Sequence, residues 1–214
     1  MAAYYDDGRG RYGTGESYDW FQKYEDGVTS IVGAFYGCEG LEQITLPNSI
    51  VDMTYAFNCC YSLKNIDIPL GAKQFSFAFG GTAIEKMEFL NGAEDISDAF
   101  AGCEDLEYVF IPKSVENMTE AFSDCEALTR VVIEEGVTSI GDYTFYNCPK
   151  LLELTIPESV VEFGEYSVGY IELNECVGQG RYKVQILPDF KINGVAGSAA
   201  EKYAKENGIA FVAI

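Results

Sequence analysis

The stretch AFAGCEDLEYVFIP, residues 99–112, has near-copies elsewhere in the chain: AFYGCEGLEQITLP at 34–47 and TFYNCPKLLELTIP at 144–157. Anchored on the aromatic residue, the register runs Phe35, Phe57, Phe79, Phe100, Phe122 and Phe145, with spacings of 22, 22, 21, 22 and 23 residues. Ala precedes the first five of these and Thr144 the sixth. Three residues after each Phe stand Cys38, Cys60, Thr82, Cys103, Cys125 and Cys148. Leu41, Leu63, Leu106, Leu128 and Leu151 follow six residues on, with Ile84 one early in a shortened third unit. Then come apolar pairs two apart, from Ile44/Leu46 and Ile66/Ile68 to Val131/Ile133 and Leu154/Ile156. Four of the six prolines (Pro47, Pro69, Pro112, Pro157) sit directly after the second member of a pair.

Each unit has a physical reading. In Leu41–Leu46, LEQITL, the apolar residues alternate, as they do in a strand with one buried face. The proline that follows lacks an N–H and stops the strand. An apolar residue recurs four or five before each Phe, at Ile31, Met53, Phe75, Ile96, Met118 and Ile140, and the few residues between have room for one helical turn at most. Two after the Phe stand Gly37, Cys59, Gly81, Gly102, Asp124 and Asn147. Gly, Asn and Asp tolerate positive φ, so this slot predicts a left-handed turn. One short strand and one return segment cannot bury an apolar face alone. Stacked on one another they can, and the expected fold is a solenoid of about six rungs with the Phe side chains as its spine.

The repeated strings AFYGCEGLEQITLP, AFAGCEDLEYVFIP and TFYNCPKLLELTIP resemble the BspA-like leucine-rich repeat family over roughly residues 26–165. The resemblance implies an α/β repeat solenoid, curved and right-handed, with a parallel β-sheet on its concave face and irregular or short helical convex segments. It also implies a non-enzymatic protein of the adhesion or host-contact kind, often at a bacterial surface. The boundaries that follow are an arm and N-terminal cap at 1–25, the solenoid at 26–165, and an irregular repeat with a C-terminal cap at 166–214. In the cap, Ser198 and Glu201 form a capping box ahead of a helix over Ala199–Asn207. Gly208 is its stop, and Ile209–Ile214 reads as a last strand. Residues 1–17 read as a mobile arm, with Trp20 and Phe21 over the first rung. Residues 166–188 interrupt the repeat.

Composition narrows the chemistry. The 214 residues include no His, which removes the commonest general base and the most frequent zinc ligand. No GxSxG turn, Walker loop or Cys-x-x-Cys pair is present, so no catalytic residue, cofactor or metal site is expected. The Gly- and Arg-bearing DDGRGRYGTG at 6–15 follows no strand and reads as part of the arm. Cys38, Cys60, Cys103, Cys125 and Cys148 share one repeat position. Stacked Cβ atoms about 4.8 Å apart lie beyond disulfide reach, so these residues read as small buried apolar groups. Cys59 lies in the turn slot as an exposed thiol, with a vicinal disulfide to Cys60 as the other option.

Period-two alternation sends Lys86/Glu88, Tyr108/Phe110 and Arg130/Val132 to the concave face on successive rungs. Tyr and Arg dominate interface hot spots, so these six are the candidate partner-binding residues. The second candidate surface is acidic: between Glu94 and Glu126 stand ten carboxylates and one cation, Lys113. Its members on the same rungs are Glu94, Asp95, Asp98, Glu104, Asp105, Glu107, Glu116 and Glu120. With a net charge of −20, the chain is expected to bind neither nucleic acid nor an anionic membrane directly. No apolar run approaches the length of a membrane span. The expected partner is a protein, a basic one where the acidic surface takes part, and the sequence leaves the oligomeric state open. The first reading is therefore a protein-binding module working through its concave sheet. The second is an acidic decoy that occupies the basic groove of a nucleic-acid-binding protein. The start at Met1 without an apolar leader, and seven thiols, suggest the cytoplasm; a chain that had lost its leader would belong outside the cell or on its surface.

Overall fold

The computed structural model describes residues 27–178 and 181–214, so the arm and the covering role of Trp20 and Phe21 lie outside the described residues. The chain winds as a stack of coils, and each coil contributes one segment to a strand face. The ordered strands there are β1 (Lys86–Glu88), β2 (Tyr108–Ile111), β3 (Arg130–Ile133) and β5 (Glu153–Thr155). β1, β2 and β3 pair in parallel, and β5 belongs to a second parallel sheet closed by later elements. The expected strands over Leu41–Leu46 and Leu63–Ile68 are absent. Both segments keep the alternation, but Ile44, Leu46, Ile66 and Ile68 are only half-buried and no strand ladder joins them. In the second segment Asn65 and Asp67 stand at the outward positions, and both residue types disfavour strands.

Opposite the strand face runs a second parallel ladder. It consists of single bridges linking Ser30, Asp52, Gln74, Asp95 and Asn117 in turn, continued by β4 (Ser139–Ile140) paired with β6 (Glu162–Phe163). The arc through each Phe is a turn, and the residue two after the Phe is left-handed as expected, at Cys59 (φ 62°), Asp124 (58°) and Asn147 (54°). A second left-handed slot lies two before the Phe, at Tyr55, Phe77, Asp98, Glu120 and Tyr143. Alternate N–H groups in the arc donate to the next coil, as Phe57 N does to Ala78 O at 2.8 Å. The rest donate back within the turn, as Ala56 N does to Met53 O at 2.9 Å. Neighbouring coils are thereby tied along the turn, including the first two, which lack paired strands.

The core is the expected spine. Ring centroids are 5.2 Å apart for Phe35–Phe57, 5.8 Å for Phe57–Phe79, 4.9 Å for Phe79–Phe100, 6.0 Å for Phe100–Phe122 and 5.5 Å for Phe122–Phe145, all stacked. In the shortened third unit Phe89 meets Phe75 and Phe100 edge-on, filling space beside the stack.

Residues 166–188 are not a break in the stack. They open a seventh coil into which a hairpin is inserted: β7 (Tyr170–Gly178) and β8 (Arg181–Ile186) pair antiparallel. The coil resumes at Leu187, whose N–H donates to Gly169 O at 2.8 Å, and β9 (Lys191–Gly194) pairs with β5. The helix α1 (Ala199–Asn207) and β10 (Ala210–Ala213) close the end, with β10 on the far side of β9. Ser198 caps α1 by accepting from Glu201 N, and Gly208 stops it at φ 69°. α1 is the one helix among the described residues, so the convex segments are turns.

Candidate functional site

Strand register assembles the concave candidates. Lys86 pairs with Tyr108, which pairs with Arg130; Glu88 pairs with Phe110, which pairs with Val132. Two rows of three therefore cross the sheet at the strand spacing of about 4.8 Å. The residues between them point inward: Met87 and Val109 are buried and Val131 half-buried. Lys86, Glu88 and Arg130 are exposed, while Tyr108, Phe110 and Val132 are half-buried. The Arg130 guanidinium carbon lies 5.3 Å from the centroid of the Tyr108 ring, a cation–π pair between neighbouring strands. The outcome is an apolar centre with Lys86 and Arg130 on one side and Glu88 on the other, carried on hydrogen-bonded strands.

The acidic candidates do not gather on that face. Glu94, Asp95 and Glu116 lie along the opposite ladder, where Asp95 bridges to Gln74 and Asn117. Asp98 and Glu120 occupy the left-handed slot of the Phe arc. Glu104, Asp105 and Glu107 lie in the segment that leads into β2. Two of the eight are already engaged: Glu94 is paired with Lys73, and Asp95 accepts from Ser97 N (2.9 Å) and Ser76 Oγ (3.0 Å).

The sequence model for the BspA-type leucine-rich repeat region matches this chain in six copies, over residues 23–120 and 73–180. The chain belongs to the BspA-type leucine-rich repeat family. Its members are typically non-enzymatic repeat proteins. Among solved structures, this BspA-type chain is similar to a leucine-rich repeat protein of Bacteroides ovatus, with 23% identity over 87% of this chain and a TM-score of 0.55. It spans 55% of that protein's length. The leucine-rich repeat protein of T. pallidum is similar too, at 23% identity and a TM-score of 0.56, with 87% of this chain and 81% of that one covered. Both likenesses establish the solenoid fold. The pneumococcal vaccine antigen PcpA aligns more loosely, at 18% identity over 81% of this chain and 56% of its own, with a TM-score of 0.46 that bears no functional argument. No curated protein matches the chain significantly.

The thiols of the BspA-type repeat have a structural task that position alone did not reveal. Four of the five ladder thiols donate to the carbonyl of the preceding spine residue: Cys60 to Phe35, Cys103 to Phe79, Cys125 to Phe100 and Cys148 to Phe122, at 3.0 to 3.2 Å. Burial pushes Cys60 and Cys148 up to about 12 and Cys103 to about 11. The thiolate is the nucleophile, so a buried thiol of that kind is doubly protected. Cys59, half-buried and unpaired with Cys60, is a free thiol. Brief alkylation of native protein followed by mass mapping is expected to mark Cys59 and leave Cys103, Cys125 and Cys148 unmodified. Rapid labelling of those three would contradict the core assignment.

Burial, and then the charges of Glu120 and Asp95, push the Asp98 carboxyl up to about 6. A raised carboxyl is penalised when ionised, so the stability it permits is complete below its unfolded pKa near 3.8 and is lost as pH rises through 6. Asp98→Asn keeps a residue that tolerates positive φ and removes the charge. It is expected to melt above the parent at pH 8, with the gap narrowing at pH 5 in calorimetry. A variant melting below the parent at both pH values would refute this.

A shallow groove of about 300 Å³ across the opposite ladder is lined by residues including Glu116, Ser139, Asp142 and Glu162. It offers carboxylates and the hydroxyls of Thr119 and Ser139 without a nitrogen base beside them. Among the described residues, no group of His, Cys, Asp and Glu is placed to hold a metal ion.

Proposed function

We propose that the chain is a non-enzymatic protein-binding module that docks a macromolecular partner on its concave sheet, in an adhesion or host-contact role. The observation that carries this reading is the Tyr108–Arg130 pair beside half-buried Phe110 and Val132, an apolar centre with charges at its margin. Side chains already fixed on paired strands lose little entropy on docking. Membership of a family of repeat proteins without typical enzymatic activity supports a binding role. The decoy reading needs a continuous carboxylate track, and it loses support because Glu104, Asp105 and Glu107 lie in a different part of the coil from the neighbouring Asp95, Asp98 and Glu120, and Glu94 is ion-paired.

An adhesion role puts the chain outside the cell or on its surface. The ladder cysteines do not oppose that, since buried thiols hydrogen-bonded to the spine resist oxidation without a reducing compartment. Capture from host-cell extract on the immobilised chain tests the role, with a Phe110→Ala/Arg130→Ala chain as the matched surface. The expected result is a set of proteins, eluted in graded salt, that the variant surface fails to retain. Identical sets on both surfaces would defeat the proposal.

A further inference from the structure

The strongest unassigned feature lies at the other side of the stack, where the sixth and seventh coils meet the inserted hairpin. Tyr143 and Tyr166 occupy the same left-handed slot on adjoining coils, and Tyr146 and Tyr170 follow in each arc. The four rings form one contiguous patch: centroids are 5.4 Å apart for Tyr143–Tyr146, 5.6 Å for Tyr143–Tyr166, 6.5 Å for Tyr146–Tyr166 and 5.0 Å for Tyr166–Tyr170. All four are half-buried, so each keeps part of its surface in water. Their angles are steep, 79° and 78° for the two closest pairs. Rings so inclined make a faceted shelf, without the flat platform on which a sugar ring stacks.

Carboxylates border the shelf. The Tyr146 hydroxyl donates to Glu172 Oε2 at 3.2 Å, which fixes the first strand of the hairpin against it. Glu165 N donates to Asp142 Oδ1 at 2.7 Å, bringing the chain at both residues alongside Tyr143 and Tyr166. Among the described residues, none of Asp142, Glu165 and Glu172 forms an ion pair with Lys or Arg. Burial and the neighbouring Glu172 push the Tyr146 phenol up to about 12, so that ring stays neutral and keeps its electron-rich face.

We infer that this shelf is a second docking surface, distinct from the concave sheet, for an arginine-bearing basic segment of a partner protein. A guanidinium can stack on a tyrosine facet while its N–H groups reach a bordering carboxylate, a combination a compact ammonium matches less well. A second copy of this chain is a poor occupant, since each carries a net charge of −20.

Calorimetric titration of the full chain with hexa-arginine tests the assignment. Glu165→Gln/Glu172→Gln and Tyr143→Leu/Tyr166→Leu are each expected to weaken binding about fivefold or more. Glu104→Gln/Asp105→Asn, which removes the same charge elsewhere, is expected to change it less than about twofold. Hexa-lysine is expected to bind the parent more weakly than hexa-arginine. Equal losses from both charge pairs, or no binding at all, would overturn the assignment, as would tyrosine-dependent binding of neutral cellohexaose. Should the tyrosine pair fail to fold, the contrast between the two charge pairs and between the two peptides decides alone.

Discussion

Phe100→Ala is expected to lower the unfolding free energy by about 3–5 kcal/mol, read from urea denaturation followed by circular dichroism. Phe100 is fully buried, stacked at 4.9 Å on Phe79 and 6.0 Å on Phe122, and met edge-on by Phe89 at 5.9 Å. Truncation therefore removes contacts on several sides at once. The gap cannot close, because its walls are held by the turn ladder: Phe79 N donates to Ala99 O and Phe100 N to Ala121 O, both at 2.8 Å. Collapse would need a coil to leave its neighbour. Phe100→Leu keeps apolar volume in the slot and is expected to lose markedly less. In a stack stabilised by nearest-neighbour interfaces, a weak central rung also threatens cooperativity, so the alanine variant is expected to unfold over a broader range. An alanine variant that melted within about one or two degrees of the parent would contradict the spine.

The parts of this fold that the sequence made legible are those where a side chain serves one purpose in every coil. The spine and the inward strand positions recur as Phe, Leu, Ile and Val because burial admits little else. The turn after each Phe was readable through Gly37, Gly81, Gly102, Asp124 and Asn147, which favour positive φ. The left-handed slot before each Phe escaped notice because Tyr55, Phe77, Asp98, Glu120 and Tyr143 occupy it. Their conformation is held by the stack, as when Tyr55 N donates to Ser76 O and Phe77 N to Ser97 O at 2.9 Å, so that, Gly33 and Asp98 apart, no local preference betrays it. The tyrosine shelf was missed for the same reason. Lining up Tyr143 with Tyr166 in register would have found it. The hairpin hid in a segment read as an interruption, although only the dipeptide Gln179-Gly180 separates Tyr170–Gly178 from Arg181–Ile186 in the sequence. For the concave site, alternation alone named Tyr108, Phe110, Arg130 and Val132. The stacking of Arg130 on Tyr108 needed the register between β2 and β3.

The second large effect concerns that stacked pair. Tyr108→Ala and Arg130→Ala are each expected to weaken partner binding by about 2 kcal/mol or more, as for buried hot-spot residues. Tyr108 orients the guanidinium of Arg130, so the two losses are expected to be non-additive in a double-mutant cycle. Arg130→Lys keeps the charge but loses the planar stack and the fork of donors, and is expected to recover only part of the affinity. Glu88 and the more distant carboxylates act mainly on encounter, so raising the salt is expected to slow association more than it speeds release.

The central claim, that binding energy resides in the concave sheet, is tested most directly by surface plasmon resonance with one captured partner and two variants. One is Tyr108→Ala/Arg130→Ala. The other neutralises Asp98, Glu104, Asp105, Glu116 and Glu120 together. The expected result is that the first abolishes measurable binding, while the second slows association and leaves dissociation nearly unchanged. Binding that survives loss of the Tyr108–Arg130 pair and vanishes with the five carboxylates would contradict the claim and restore the acidic decoy.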